Sequence, residues 1–148
     1  SPAELNNIGA ALQALDSLEA AAELYRRAVG ADSAYADGWY NLAAARRLLG
    51  DSLGALEAFL RVRRLEGPGF EVDLAIARLL AGLGREAEAV EYYTSALDIA
   101  VEDPALVLEA ADTAWQAGRR ETARELYGQY RSRVDESAVP ARVVRRLQ

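Results

Sequence analysis

Tyr25, Phe59, Tyr93 and Tyr127 stand 34 residues apart, and so do Ala21, Ala55, Ala89 and Ala123. A third column in the same phase holds Asp16, Gly50, Gly84 and Gly118. Aromatic residues make up 7% of the chain, so four of them in one column is not an accident of composition. A fixed period of this length marks one supersecondary unit written four times. Each copy is too small to bury its own apolar face and depends on its neighbours to cover it. The chain is therefore constrained to fold as a stack.

Within each copy the apolar residues recur at helical spacing, as in Leu74, Ile76, Leu79, Leu80 and Leu83. This predicts two amphipathic helices per copy. The expected pairs are 3–15 and 18–31, 37–49 and 53–65, 71–83 and 86–100, and 105–117 and 120–134. Breakers fall between them: Gly50-Asp51, Gly84-Arg85 and Gly67-Pro68-Gly69. Asp103-Pro104 reads as a helix N-cap followed by a first-turn proline. The small residues Gly9, Ala43, Ala77 and Ala111 let the helices of a pair approach closely, and the aromatic column fills the space between copies. Trp39 is expected to pack across its pair, Arg46 to lay its stem on the core with its guanidinium in solvent, and Gly54 to be exposed. Tyr130, where other copies carry Ala28, Val62 and Ala96, is expected to splay the last pair or mark where regular stacking ends.

The second copy, with Trp39, Leu42, Ala43, Gly50, Asp51, Ala55, Phe59 and Pro68, resembles the tetratricopeptide repeat family. The resemblance spans Pro2 to about Asp135. It implies an all-α fold, a right-handed superhelical solenoid of four helix-turn-helix repeats, as a single domain. The repeats would run 2–35, 36–69, 70–103 and 104–137. Residues 138–148 would then be a capping helix or the start of a fifth repeat, with Val139, Val143 and Leu147 as an apolar stripe. Opening on Ser1 at a repeat boundary, without a methionine, the sequence is expected to be excised from a longer protein. Cytoplasmic and periplasmic locations both remain open.

The chain has no Cys, His, Met or Lys, and all 17 basic residues are Arg. Without Cys or His it has neither a soft or imidazole metal site nor a nucleophile–imidazole pair. No phosphate-binding glycine loop is present, so no cofactor is expected. A net charge of −6 argues against a nucleic-acid partner. No apolar run is long enough for membrane insertion. The carboxylate pairs Glu86/Glu88 and Glu102/Asp103 read as helix-end or turn charges rather than catalytic groups.

In the family the first helix of each copy lines a concave groove where partner peptides lie. Carried over, the resemblance puts Asn6, Asn7, Ala10 and Gln13 of the first copy in the groove. The second contributes Asp37, Tyr40, Asn41, Ala44, Arg47 and Leu48, and the third Glu71, Leu74, Ala75 and Arg78. The fourth contributes Leu108, Glu109, Asp112, Trp115 and Gln116. Asparagine amides could hold a peptide backbone, Arg47 and Arg78 would supply positive charge at the centre, and Glu109 and Asp112 would make the far end acidic. Trp115 is either a platform for a ligand or a cover for the joint with the C-terminal helix. The pairs Arg63-Arg64 and Arg145-Arg146 are expected to be solvated.

One use of the family does not fit. The clamp that holds acidic C-terminal tails needs two Lys, two Asn and an Arg, and the corresponding positions here are Asn6, Ala10, Asn41, Glu71 and Ala75. Only Asn41 matches, and Glu71 would repel an acidic tail. The expectation is a non-enzymatic scaffold that binds a protein or peptide segment, by its apolar anchors and mixed charge. The alternative is a self-assembling, regulatory or positioning segment of a larger enzyme or membrane-linked protein.

Overall fold

The computed structural model describes residues 1–101 and 103–148, so Glu102 lies outside the described residues. The first two pairs are α1 (Pro2–Ala14) with α2 (Leu18–Ala31), and α3 (Ala36–Leu48) with α4 (Ser52–Glu66). Next come α5 (Phe70–Gly82) with α6 (Glu86–Ile99), and α7 (Pro104–Gln116) with α8 (Arg120–Arg131). A 3₁₀ turn at Glu136–Ala138 leads into α9 (Ala141–Leu147). Each pair packs on itself, and each second helix packs against the first helix of the next pair. The first helices thus form one layer and the second helices another.

Four turns of one design set the geometry of the pairs. Gly50, Gly84 and Gly118 have φ of 80°, 74° and 74°, the left-handed region that L side chains avoid. The following N–H reaches back six residues in every copy: Ser17 to Leu12, Asp51 to Arg46, Arg85 to Leu80 and Arg119 to Ala114, each at 2.9 Å. These are Schellman closures, which satisfy carbonyls at the helix end. In the first copy Asp16 fills the glycine position at φ 58°. Aspartate is among the few residues that tolerate it.

The repeated columns are core. Tyr25, Phe59, Tyr93 and Tyr127 are all buried, as are Ala21, Ala55, Ala89 and Ala123. A Cβ on Gly9 would stand 2.7 Å from the Tyr25 ring, so that close approach requires glycine. Trp39 is half-buried and donates its indole N–H to the Ser33 carbonyl at 2.9 Å. Asp103 caps α7, accepting from the Ala105 N–H at 2.8 Å.

Several expectations are corrected. Gly54 is half-buried rather than exposed: its N–H donates to the capping carboxylate of Asp51 at 2.9 Å. A Cβ there would lie 2.1 Å from Asp51 Oδ2. Arg46 does lay its stem inward, but its guanidinium donates to the Gly54 carbonyl at 3.1 Å instead of ending in water. Arg63 is not a solvated charge either. It meets Asp73 at 2.6 Å, a carboxylate with no solvent exposure, whose other oxygen accepts from Ser95 at 2.5 Å. This contact ties α4, α5 and α6 together. The C-terminal end also differs from the 3.6-residue pattern. α8 stops at Arg131 because Pro140 forces Val139 into extended backbone, and α9 begins only after it. Tyr130 is buried beside this break, in one cluster with Val143 of α9, so regular stacking ends there.

Candidate interaction groove

The side chains expected in the groove come from α1, α3, α5 and α7, which form one layer. Their environments differ along its length, and those differences follow from what the buried aromatic column offers at each copy.

In the first copy the Tyr25 hydroxyl donates to Gln13 Oε1 at 3.1 Å. Asn41 donates its amide to Asn6 Oδ1 at 2.9 Å, and Asn6 is buried. The expectation that both amides would face a peptide is therefore corrected: they hold α1 to α3, and Asn7 is the exposed amide of the three.

At the far end the acidic character expected of Glu109 and Asp112 is neutralised inside the chain. Arg78 of α5 grips Glu109 of α7 through two bonds of 2.8 Å, and the Tyr93 hydroxyl donates to the same carboxylate at 2.6 Å. The Arg78 bond, opposed by burial and helped by Tyr93, holds the Glu109 carboxyl below its ordinary range. Burial together with Glu109 pushes the Tyr93 phenol far up. Asp112 is met by Arg142 at 2.7 Å and Arg146 at 2.8 Å, both from α9, and by the Tyr127 hydroxyl at 2.6 Å. Burial works against its charge, but Arg142 and Tyr127 outweigh it, and the carboxyl lies low. Burial and Asp112 push Tyr127 up to about 12. Arg146 is thus no solvated charge. The guanidinium groups of Arg120 and Arg146 lie 4.0 Å and 4.8 Å from the centre of the Trp115 ring. Trp115 is half-buried at the joint with α9, and it also meets Tyr127, ring to ring, at 6.3 Å.

The second copy stands apart. Its aromatic is Phe59, which has no hydroxyl to reach a groove side chain. Tyr40 packs edge-on against Phe59 at 5.7 Å while staying 41% exposed. Between α3 and α5 a depression of about 80 Å³ opens over Phe59, Leu74 and Ala75, rimmed by Tyr40, Arg47, Glu71 and Arg78. Among the described residues neither Arg47 nor Glu71 takes part in an ion pair. Leu74 and Leu108 are both half-buried. Of the residues expected in the groove, Tyr40, Arg47, Leu74 and Arg78 thus come together at one depression. Asn6, Asn41, Asp112 and Trp115 are engaged within the chain. Sequence reading assigned Phe59 to core alone and did not foresee the hydroxyls of Tyr93 and Tyr127 or the arginines of α9. The charges spaced 31 and 34 residues apart, Arg78 to Glu109 and Asp112 to Arg146, were the available signal.

A larger hollow of about 410 Å³ lies by the second helices, lined by Arg63, Glu88, Glu91, Tyr92 and Ser95. Its charges are already paired: Arg63 with Asp73, Glu88 with Arg85, Glu91 with Arg119. It offers little unmet chemistry to a ligand.

A sequence profile described as tetratricopeptide repeat matches residues 5–35 and 74–100. No curated protein matches the chain by sequence. Among solved structures, a MamA protein from AMB-1 superposes with a TM-score of 0.81 at 17% identity, covering 97% of this chain and 78% of its own. YrrB, described as a TPR protein with an unusual peptide-binding site, gives 0.76 at 17% identity. That match covers 85% of this chain and 65% of YrrB. PilF of Pseudomonas aeruginosa gives 0.70 at 23% identity, covering 87% of this chain and 59% of its own. The chain thus spans less than two thirds of YrrB and PilF.

Proposed function

This chain is a tetratricopeptide-repeat protein, and from that premise we propose that it works by holding an extended or helical segment of a partner protein over the depression between α3 and α5. The repeat fold is typically that of a protein-interaction scaffold rather than an enzyme. The observation that carries the finer reading is the loss of the hydroxyl at Phe59. Where Tyr25, Tyr93 and Tyr127 spend their hydroxyls on groove side chains, Phe59 leaves an apolar floor with Arg47 and Glu71 unmatched around it. An aromatic beside an arginine over an apolar floor is the composition that interface centres favour.

The chemistry points to a segment with one apolar side chain to fill the depression and a carboxylate nearby to meet Arg47. A basic or neutral group suits the neighbourhood of Glu71. An acidic tail clamped by several cations finds no match here.

A displayed library of random peptides tests this. Selected sequences should share an apolar residue next to an acidic one, and Tyr40→Ala/Arg47→Glu should lose them with helicity unchanged. If that folded variant keeps the same peptides, the binding face lies elsewhere and the groove assignment fails.

A further inference from the structure

The first helix exposes what every later first helix buries. Ile8, Leu42, Ile76 and Ala110 share one column, and their exposures are 54%, 1%, 0% and 0%. One turn further on, Ala11 is exposed while its counterparts Ala45, Leu79 and Thr113 are buried. Another turn along, Leu15 is 75% exposed. The cause is positional. α2, α4 and α6 cover the backs of α3, α5 and α7, and no described helix stands behind α1. Glu4 completes the same face, because residues at 4, 8, 11 and 15 recur at helical spacing.

Charge along the chain is polarised in a way that bears on this face. The first 25 residues hold four carboxylates (Glu4, Asp16, Glu19, Glu23) and no arginine. The last 30 hold eight arginines against four carboxylates, and the segment from Ala138 to Gln148 has three arginines and no acid. Arg142 and Arg146 are turned inward onto Asp112. Arg133 and Arg145 are exposed and form no ion pair among the described residues. On α9, Val144 and Leu147 remain half-buried on the far side of a helix whose Val143 is fully buried.

We propose that the N-terminal face, Ile8, Ala11 and Leu15 rimmed by acids, docks on the arginine-rich C-terminal end of a second copy of this chain. Opposite charge selects this arrangement over two N-terminal faces meeting, since Glu4, Asp16 and Glu19 would then oppose their own copies. The contact is heterologous: it joins unlike ends, leaves one of each end free, and continues into an open row rather than closing as a dimer. It leaves the depression at Phe59 uncovered and so is independent of what the groove binds.

Sedimentation of the 148-residue chain over a concentration series tests this. The weight-average mass should climb above the 16.0 kDa of one copy and pass two copies without a plateau. Raising NaCl from about 0.05 M to about 0.5 M shortens the screening length to a few ångströms and should weaken association at least about tenfold, in line with the polarised ends. Ile8→Asp/Leu15→Asp blocks the N-terminal face and Arg133→Glu/Arg145→Glu the other end. All four positions are exposed, and circular dichroism checks that both variants stay helical. Each variant alone should be monomeric, whereas an equal mixture should form a complex of two copies and no larger, because one intact face of each kind remains. Wild type that stays monomeric at every concentration overturns the proposal. So does a mass that stops at two copies, or a mixture of the folded variants that does not combine.

Discussion

Arg78 and Glu109 face each other across the seam between α5 and α7 in a two-bond fork, both bonds 2.8 Å long, with the Tyr93 hydroxyl closing on the same carboxylate from beneath. The charge expected at the centre of the groove and the charge expected at its far end are thus partners. The cation left for a ligand is Arg47. Asp112 repeats the arrangement one copy later with two arginines and a tyrosine. A polar ladder thereby follows the solenoid from its third copy to its end.

This ladder makes the protein sensitive to acid. Glu109 and Asp112 both have folded pKa values below their ordinary 4.5 and 3.8. Their stabilisation is complete above the ordinary carboxylate range and is lost as pH falls through the lower folded values. Thermal melts of wild type and Glu109→Gln/Asp112→Asn between pH 7 and pH 2.5 check this. The variant should start lower at pH 7 and lose less on acidification. Parallel curves would mean that the two carboxylates are not the groups responsible.

Gly54→Ala should bring no gain in stability. Helix propensity favours alanine by roughly 0.5–1 kcal/mol, but the new methyl group takes the place of Asp51 Oδ2, 2.1 Å away. Turning the carboxylate aside gives up an N-cap of about 1 kcal/mol. Gly128, inside α8 with nothing within 4 Å of a Cβ, is the control. Gly128→Ala should stabilise by roughly 0.5–1 kcal/mol in urea titrations where Gly54→Ala stays level or falls.

Ala89 has no solvent exposure and lies in the main core cluster with Tyr93 and Ala77. Ala89→Leu should cost about 1–3 kcal/mol by overpacking. A melting temperature equal to that of wild type would show that the pair can separate without loss and that the packing described here is not close.

The joint between α7 and α9 can be watched through Trp115. In a Trp39→Phe background it is the sole fluorophore of its kind. Arg142→Ala/Arg146→Ala removes both cations from Asp112 and one from the Trp115 ring. The emission should shift to the red as α9 loosens, with about 1–3 kcal/mol of stability lost. An unchanged spectrum would place the hold on α9 in Val143 and the other apolar contacts instead.

The helices were legible because a stack repeats its constraints. The Gly column and the aromatic column fix phase, and α1 to α7 begin and end within one residue of the expected positions. The end of the chain was less legible: once Pro140 interrupts the pattern, no further copy exists to correct the register. In the groove, periodicity placed Tyr40, Arg47, Leu74 and Arg78 on one layer but could not show which charges were already taken. Arg78 and Arg47 look alike in sequence. One is matched because Glu109 stands in reach on the next first helix, where Arg47 meets no such group. The hydroxyl difference between Phe59 and its three tyrosine counterparts was visible from the start. It gains meaning only when the polar partners of those tyrosines are seen to lie in the groove.

α3 is the wall between two packing clusters. Leu42 and Ala45 face back to Ala21, Tyr25 and Val29, Ala43 faces forward into the large cluster that continues to Val143, and Trp39 touches both. The leading pair is thus a small unit leaning on a long one, and its opening requires far less surface to separate than opening anywhere further along. Amide protons of α1 and α2 would exchange with solvent ahead of those in α5 and α6. Motion of this kind bends the solenoid at one end while the depression over Phe59 keeps its shape. A partner lying along the whole layer would meet a rigid seat at its middle and a hinged flap at its start.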